Sequence, residues 1–476
     1  MAEKNLAVGS IPKLLIRLAL PVLGGFLLQS AYALIDMYWV GFLGADALGG
    51  LSICLNLHLL VLTLGFTLGV SGLATISRAF GSGDRAAVPL LFQQVFWQSL
   101  TVGVAACLLT LYLAEPYFDL FTNDPGVRAE GLTFYRMFTL TFVFSTLVMA
   151  ASFCWRAVGD FVTPPILMAL SVVINLLLDP LLIFGWGPVP ALGMEGVALA
   201  TVLAQAVPFG IYLYLIFLRK QNTLLVVRRP FRVDWKIQWR LLRIGVPAGM
   251  QSLFATLAMM AVYRAGRPFG GEAAAAVGVG FRLIQAGILP MVSLASALGS
   301  VVGQNLGARL PDRIHSAVRW SLVYVLALTL SEYALLASAP EYWVRIFTSD
   351  ATVVSFGVAY LTIIGLSLPL IGVGHIVTAT AQGLGRTTTP LLGQGLRLVI
   401  LMAILPVGAD RGWFSIQGLF WVVLGSAVAE TLVMLGVLRW LLHSLPNLMA
   451  RGFHPGGRPG TPPPASLPAE ESAGPG

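Results

Sequence analysis

Charge is what this chain has least of. Of its 476 residues only 11% are charged, against roughly 25% in an ordinary soluble domain, and the deficit excludes a fold surrounded by water. Cysteine is nearly as scarce. Cys54, Cys107 and Cys154 each lie inside an apolar run, with no CxxC spacing and no histidine at ligand distance, so neither a disulfide framework nor a zinc site is indicated. No HExxH, no GxSxG and no Ser/His pair at a catalytic spacing occurs, which leaves a membrane-embedded protease or acyltransferase without machinery. The reading is of a protein that is not an enzyme and needs no cofactor. A cleavable signal peptide is also missing. The first apolar run opens after Lys13 and Arg17 and continues to Val40, too long for a signal segment and long enough to span.

What the chain has in abundance is apolar sequence, 57% of its residues, set out in long uncharged runs, and about 20 apolar residues cross a bilayer. Twelve candidate spanning helices follow, over residues 14–40, 47–71, 87–113, 131–157, 163–186, 193–218, 241–265, 272–302, 315–338, 355–382, 389–408 and 415–442. The expected fold class is all-α integral membrane. The net charge of +8, from 29 Lys and Arg against 21 Asp and Glu, is not spread along a soluble face, so it does not point to nucleic acid. It gathers before the first helix, after each even-numbered helix and at the C-terminus, which predicts a multi-pass cell-membrane protein with both termini cytoplasmic. The sequence divides into a first lobe (1–218), a basic cytoplasmic linker (219–240) beside lipid headgroups, a second lobe (241–450) and a tail (451–476). The tail is rich in Pro and Gly, cannot offset its own ordering entropy, and is read as disordered.

The two lobes are an internal repeat. At a constant offset of 226, Arg17 matches Arg243, Pro21 matches Pro247, Gly44 matches Gly270, Gly81 matches Gly307, Asp124 matches Asp350, Gly159 matches Gly385 and Pro180 matches Pro406. Six helices per unit means both units start on the same side. The expectation is two parallel six-helix repeats related by a pseudo-twofold axis along the membrane normal, with substrate at their interface.

A repeat explains shared residues as architecture, so chemistry is sought where one half carries what the other lacks. Asp36 aligns with Val262, Asn175 with Leu401 and Asp179 with Leu405, and after a four-residue deletion Thr201 aligns with Val423. Asn175 and Asp179, four apart, share one helix face. Asp36, Asp179 and Thr201 fall at one depth, roughly 6–12 Å below the outer surface at about 1.5 Å per residue. Carboxylates inside a bilayer are costly, and line a cavity, pair or carry protons. Two close carboxylates suit reversible proton binding, and the carboxylate, amide and hydroxyl oxygens together equally suit a hard cation such as sodium. The bland alternative is a hydrogen-bond network that pins helices.

The sequence resembles the multidrug and toxic compound extrusion (MATE) family over nearly the whole chain except the tail. The likeness is carried by LALPVLGGFLLQSAYALIDMYWVGFLGADALGG, by GVPAGMQ and AAAAVGVGFRLIQ in the second half, by the turns ISRAFGSGD and VGQNLGA, and by the paired turns RAVGDFVTP and QGLGRTTTP. The resemblance implies a twelve-helix, two-lobed exporter that alternates between inward- and outward-open shapes and exchanges cation entry for drug exit. The branch that looks most similar is the DNA-damage-inducible type. That likeness implies cation coupling at Asp36, Asn175, Asp179 and Thr201, cavity residues at Gln29 and Tyr32, and a conformational hinge at Pro21. A second branch has acids in helices 7 and 10, where this chain has Ala255 and Ile371.

Weaker candidates remain. His58 and His375 are possible proton relays, though a lone histidine is more often scaffold. Arg397 and Glu430, at comparable depth in adjacent helices, suggest a buried structural pair, while Glu332 and Arg282 lack an obvious partner. The expected activity is secondary active antiport of organic, cationic or amphipathic compounds for protons or sodium, by a chain for which a monomer suffices. The alternative is a flippase or exporter of a lipid-linked sugar or metabolite from the same superfamily.

Overall fold

The computed structural model describes residues 5–217, 232–410 and 415–450. The first half contains α1 (Ile11–Gly41), α2 (Ala45–Gly81), α3 (Ala87–Tyr112), α4 (Ala114–Phe121), α5 (Pro125–Phe138), α6 (Thr141–Ala157), α7 (Thr163–Phe184) and α8 (Met194–Phe217). The second contains α9 (Trp235–Gly266), α10 (Gly270–Gly307), α11 (Pro311–Ser338), α12 (Pro340–Arg345), α13 (Ala351–Ile363), α14 (Ser367–Gly383), α15 (Leu391–Asp410), α16 (Ile416–His443) and α17 (Leu445–Ala450). Among the described residues, ten stretches are long and apolar enough to cross a membrane. One of them, Trp235–Gly307, holds both α9 and α10, and the pair α5 and α6, bent by 52°, makes a further broken span. With α9 and α10 counted separately, and α5–α6 and α13–α14 as one span each, these make up the twelve expected crossings.

The repeat is visible in the helix ends. Displaced by 226, α6 falls on α14 at both ends, α2 ends with α10, and α3 ends with α11. Displaced by 222, α8 starts with α16, which locates the four-residue deletion between the last two helices of the second half. Local chemistry repeats as well. Asp124 and Asp350 each accept two backbone N–H groups at the start of α5 and α13, satisfying donors that a helix start leaves unpaired. At the break in each broken span a hydroxyl covers a freed carbonyl: Thr141 Oγ1 donates to Phe138 O, and its counterpart Ser367 Oγ donates to Ile364 O, both at 2.6 Å. In a bilayer such broken backbone persists only where its polar groups are satisfied internally.

Several boundaries differ from the sequence expectation. Helices α2 and α10 run to Gly81 and Gly307 rather than to 71 and 302. Their last turns are polar but buried against the opposite lobe, so packing rather than hydropathy extends them. The fourth span is not the single helix expected over 131–157, because the chain breaks between Phe138 and Thr141. Helix α9 starts at Trp235, with the Asp234 side chain accepting from Lys236 and Ile237 N–H. Residues 235–240, expected in the linker, are therefore helical. Residues 219–231 of that linker and the tail 451–476 lie outside the described residues.

The lobes meet on the face that carries both chain ends. There α2 and α10 cross so closely that a Cβ on Gly81 would overlap the Gln304 carbonyl, and one on Gly307 would overlap the Arg78 carbonyl. Arg78 and Gln304 are themselves 226 apart, so the contact is reciprocal about the pseudo-twofold axis. Leu6 N–H donates to Gln304 Oε1 at 2.9 Å, and Gln304 Nε2 donates to Ala157 O at 2.8 Å. Arg156, buried, donates through Nη1 to Ser296 Oγ across the lobes at 2.7 Å. Moving away from this face along the facing stripes, Ser77 and Gly303 are buried, Phe66 and Val292 half-buried, and Asn56, Leu59, Arg282 and Gln285 exposed. The lobes thus part as a cleft that opens on the side opposite the chain ends.

Candidate functional site

The acids singled out by the half-to-half difference come together. Asp36 sits five residues before the end of α1, Asp179 five before the end of α7, and Thr201 seven after the start of α8. At about 1.5 Å per residue these are one layer, roughly 7–11 Å from the helix ends. Helix α1 packs along α7 and α7 along α8. Gly25 allows the first contact, facing the Pro165 ring. Gly196 allows the second, since a Cβ there would overlap the Leu182 carbonyl.

Asp36, Asn175, Asp179 and Thr201 are all buried. Asn175 Nδ2 donates to Asp179 Oδ1 at 3.0 Å, the i, i+4 relation expected on one helix face. Asp36 lies beside Asn175 and Asp179, and the Tyr32 hydroxyl lies beside Thr201 and in the field of both carboxylates. Thr201 Oγ1 is turned to its own helix, donating to Val197 O at 2.9 Å. Four oxygens of the cluster, Tyr32 Oη, Asp36 Oδ1, Asn175 Oδ1 and Asp179 Oδ2, are buried without a hydrogen-bond partner. Buried acceptors without donors are rare in folded proteins. Three of these four are carboxylate or amide oxygens, a set that takes up a proton or a hard cation.

Aromatic rings cover the cluster on its outer side. Tyr38, Trp39, Phe42 and Phe184 pack edge to face or tilted, with centroids 5.1–6.2 Å apart. Deeper in the lobe, Ser171 Oγ donates to Ala204 O at 2.7 Å and ties α7 to α8. The equivalents of Asp36, Asn175 and Asp179 in the second lobe are Val262, Leu401 and Leu405, all buried apolar side chains.

Not every candidate joins the cluster. Gln29 is exposed, three residues below Tyr32 on the same face of α1. Helix α1 runs unbroken through Pro21. His58 is enclosed by the rings of Phe138 and Phe142 at 5.2 and 5.9 Å, and its Nδ1 has no partner. His375 Nδ1 faces its own helix at Ile371 O, 2.9 Å away. Arg397 and Glu430 do pair, at 3.2 Å. Both carboxylate oxygens of Glu332 are buried without a partner, and its head occupies the space a Cβ on Gly287 would take. Sequence reasoning missed the inter-lobe polar contacts of Arg156 and Gln304 and that of Gln94 on α3, whose Oε1 accepts from Gln238 Nε2 of α9 at 2.8 Å. Their partners are decided only by how the lobes dock.

A two-lobed, multi-pass helical fold with a polar site in one lobe and a cleft between lobes defines a membrane transporter. Comparison with known proteins agrees. The family model described as MatE matches residues 21–181 and again 247–407, two segments 226 apart, and the chain belongs to the MatE family of multidrug and toxic compound extrusion transporters. It is 27% identical over 405 residues to a FAD transporter of Shewanella oneidensis, covering 84% of this chain and 88% of that one. It is 27% identical over 443 residues to the multidrug export protein MepA of Staphylococcus saprophyticus, covering 90% and 93%. Among solved structures, the Vibrio cholerae MATE transporter VcmN in its bent form superposes with a TM-score of 0.84 at 23% identity, over 92% of this chain and 98% of that one. A MOP superfamily transporter of Pyrococcus furiosus gives 0.83 at 21% identity, over 94% and 99%.

Proposed function

We propose that this MatE-family transporter is an antiporter that exports amphipathic organic compounds across the cell membrane in exchange for protons or sodium ions, coupled through the first lobe. The observation that carries this reading is the set of four partnerless buried oxygens on Tyr32, Asp36, Asn175 and Asp179, in one lobe and not in its repeat. With both termini cytoplasmic, the cleft faces outward. Substrate held while the carboxylates are charged is released outward when a cation enters and neutralises them, with α1 shifting about Pro21 and Gln29 lining the path. The cation acts by stabilising one of two arrangements more than the other. One charge moving inward through about 150 mV yields about 3.5 kcal/mol at about 2.3 per 100 mV. That sustains a gradient of roughly 300-fold at about 1.4 kcal/mol per decade. First-lobe acids, with Ala255 and Ile371 where another branch has acids, are what supports grouping the chain with the DNA-damage-inducible type.

Export of a metabolite is the second reading, supported by the similarity to a protein named as a FAD transporter. The test is efflux of a fluorescent cationic dye from proteoliposomes under an imposed proton gradient and, separately, a sodium gradient. Efflux driven by one gradient and abolished by Asp36→Asn is expected. Equal efflux by both proteins would make Asp36 structural.

A further inference from the structure

Where the first lobe buries acids, the second lobe turns a cation to the cleft. On α10 the residues that meet the first lobe follow one face of the helix, from Gly303, against Ser77, and Gly299, against Leu73, to Ser296, which accepts from Arg156. Continued toward the far side at helical spacing, the same face presents Gln285 and Arg282. The opposite face turns into its own lobe, where Gly280 meets the Tyr360 ring and Gly287 meets Glu332. Arg282 therefore points across the cleft at the first lobe. It is exposed, and it has no ion pair or hydrogen bond among the described residues. A guanidinium turned to lipid is costly, so a charged side chain on a spanning helix belongs in a water-filled cavity. Its counterpart at an offset of 226 is Asn56, also exposed and neutral. At these positions the lobes differ with opposite sign, acids in the first where the second has Val262 and Leu405, and an arginine in the second where the first has Asn56.

We infer that Arg282, with Gln285 one turn away, is a recognition site for an anionic group, a carboxylate, sulfonate or phosphate, on the transported amphipathic molecule. A planar guanidinium with free donors pairs bidentately with such groups, and Gln285 supplies a further donor and an acceptor. This deepens the transport reading by naming a substrate class: compounds that carry an acidic group as well as apolar surface. Purely cationic compounds would be handled without Arg282.

The test is equilibrium binding of carboxyfluorescein and of ethidium to the full-length chain in neutral detergent, followed by fluorescence polarisation for wild type, Arg282→Gln and Arg282→Lys. Arg282→Gln is expected to raise the carboxyfluorescein Kd at least tenfold, Arg282→Lys to restore most of it, and ethidium binding to stay within twofold. An unchanged carboxyfluorescein Kd, an equal loss for both dyes, or no carboxyfluorescein binding by wild type would overturn the inference. Repeating the titration in nanodiscs of phosphatidylcholine and of phosphatidylglycerol separates the sources. Dye binding lost only in phosphatidylglycerol assigns the site to a lipid phosphate, and binding kept in both assigns it to the solute. Equilibrium binding needs no gradient, so an Arg282-dependent Kd without gradient-driven efflux would sink antiport and leave this site standing.

Discussion

Single residues show how far the repeat constrains this chain. Turn glycines recur at matched positions with positive φ, Gly44 with Gly270 and Gly159 with Gly385. One match fails: Gly83, at φ 79°, has Arg309 as its equivalent, at φ 58°, the one non-glycine among the described residues in this region. A side chain in that conformation costs about 1–2 kcal/mol. Arg309→Gly should therefore raise thermal stability, by up to about 1 kcal/mol, and Gly83→Ala should lower it. Thermal-shift measurements on the two variants check the pair, and equal effects of one sign would contradict the strain. The clustered acids were legible at this scale because Asp36 and Asp179 have no acidic equivalents half a chain away. Arg156 was not, because nothing local in RAVGD says that its partner is Ser296 on another lobe. Arg282 was visible as an unpaired charge, but which way it faces is a property of the docked helices.

At the scale of elements, hydrophobic runs located every spanning helix but not where each stops. The final turns of α2 and α10 carry Arg78, Gln304 and Asn305, and they remain helical because they are buried against each other. The break between α5 and α6 was illegible too, since an apolar run reads the same whether straight or bent by 52°. The crossing of α2 and α10 yields a prediction. Gly81→Ala and Gly307→Ala each place a methyl against a carbonyl of the opposite lobe, overpacking that costs about 1–3 kcal/mol. The cost falls on the conformation closed at the chain-end face, so both variants should populate the form opened there. The three native cysteines are buried, which permits spin labels at Ser82→Cys and Ala308→Cys. Their distance distribution should broaden to longer values in each glycine variant, and to a similar degree because the sites are equivalent. An unchanged distribution would show that the crossing does not set the equilibrium.

For the whole molecule, two repeated lobes carry unlike chemistry: buried acids in the first, an exposed cation on the cleft wall of the second, and a tight seam where α2 crosses α10. In the proposed antiport, the asymmetric residues are what would let ligands favour one arrangement of the lobes over the other. Coupling requires more than co-location of sites. If cation and substrate are exchanged, each must weaken the binding of the other by the same factor. The measurement that tests this most directly is ion release from the purified protein in weakly buffered solution when an exported dye is added, read as a pH change and as the sodium dependence of dye Kd. Wild type should release protons, or show a dye Kd that rises with sodium, and Asp36→Asn and Asp179→Asn should do neither while still binding dye. Identical ion release from wild type and both variants would contradict coupling through the first lobe.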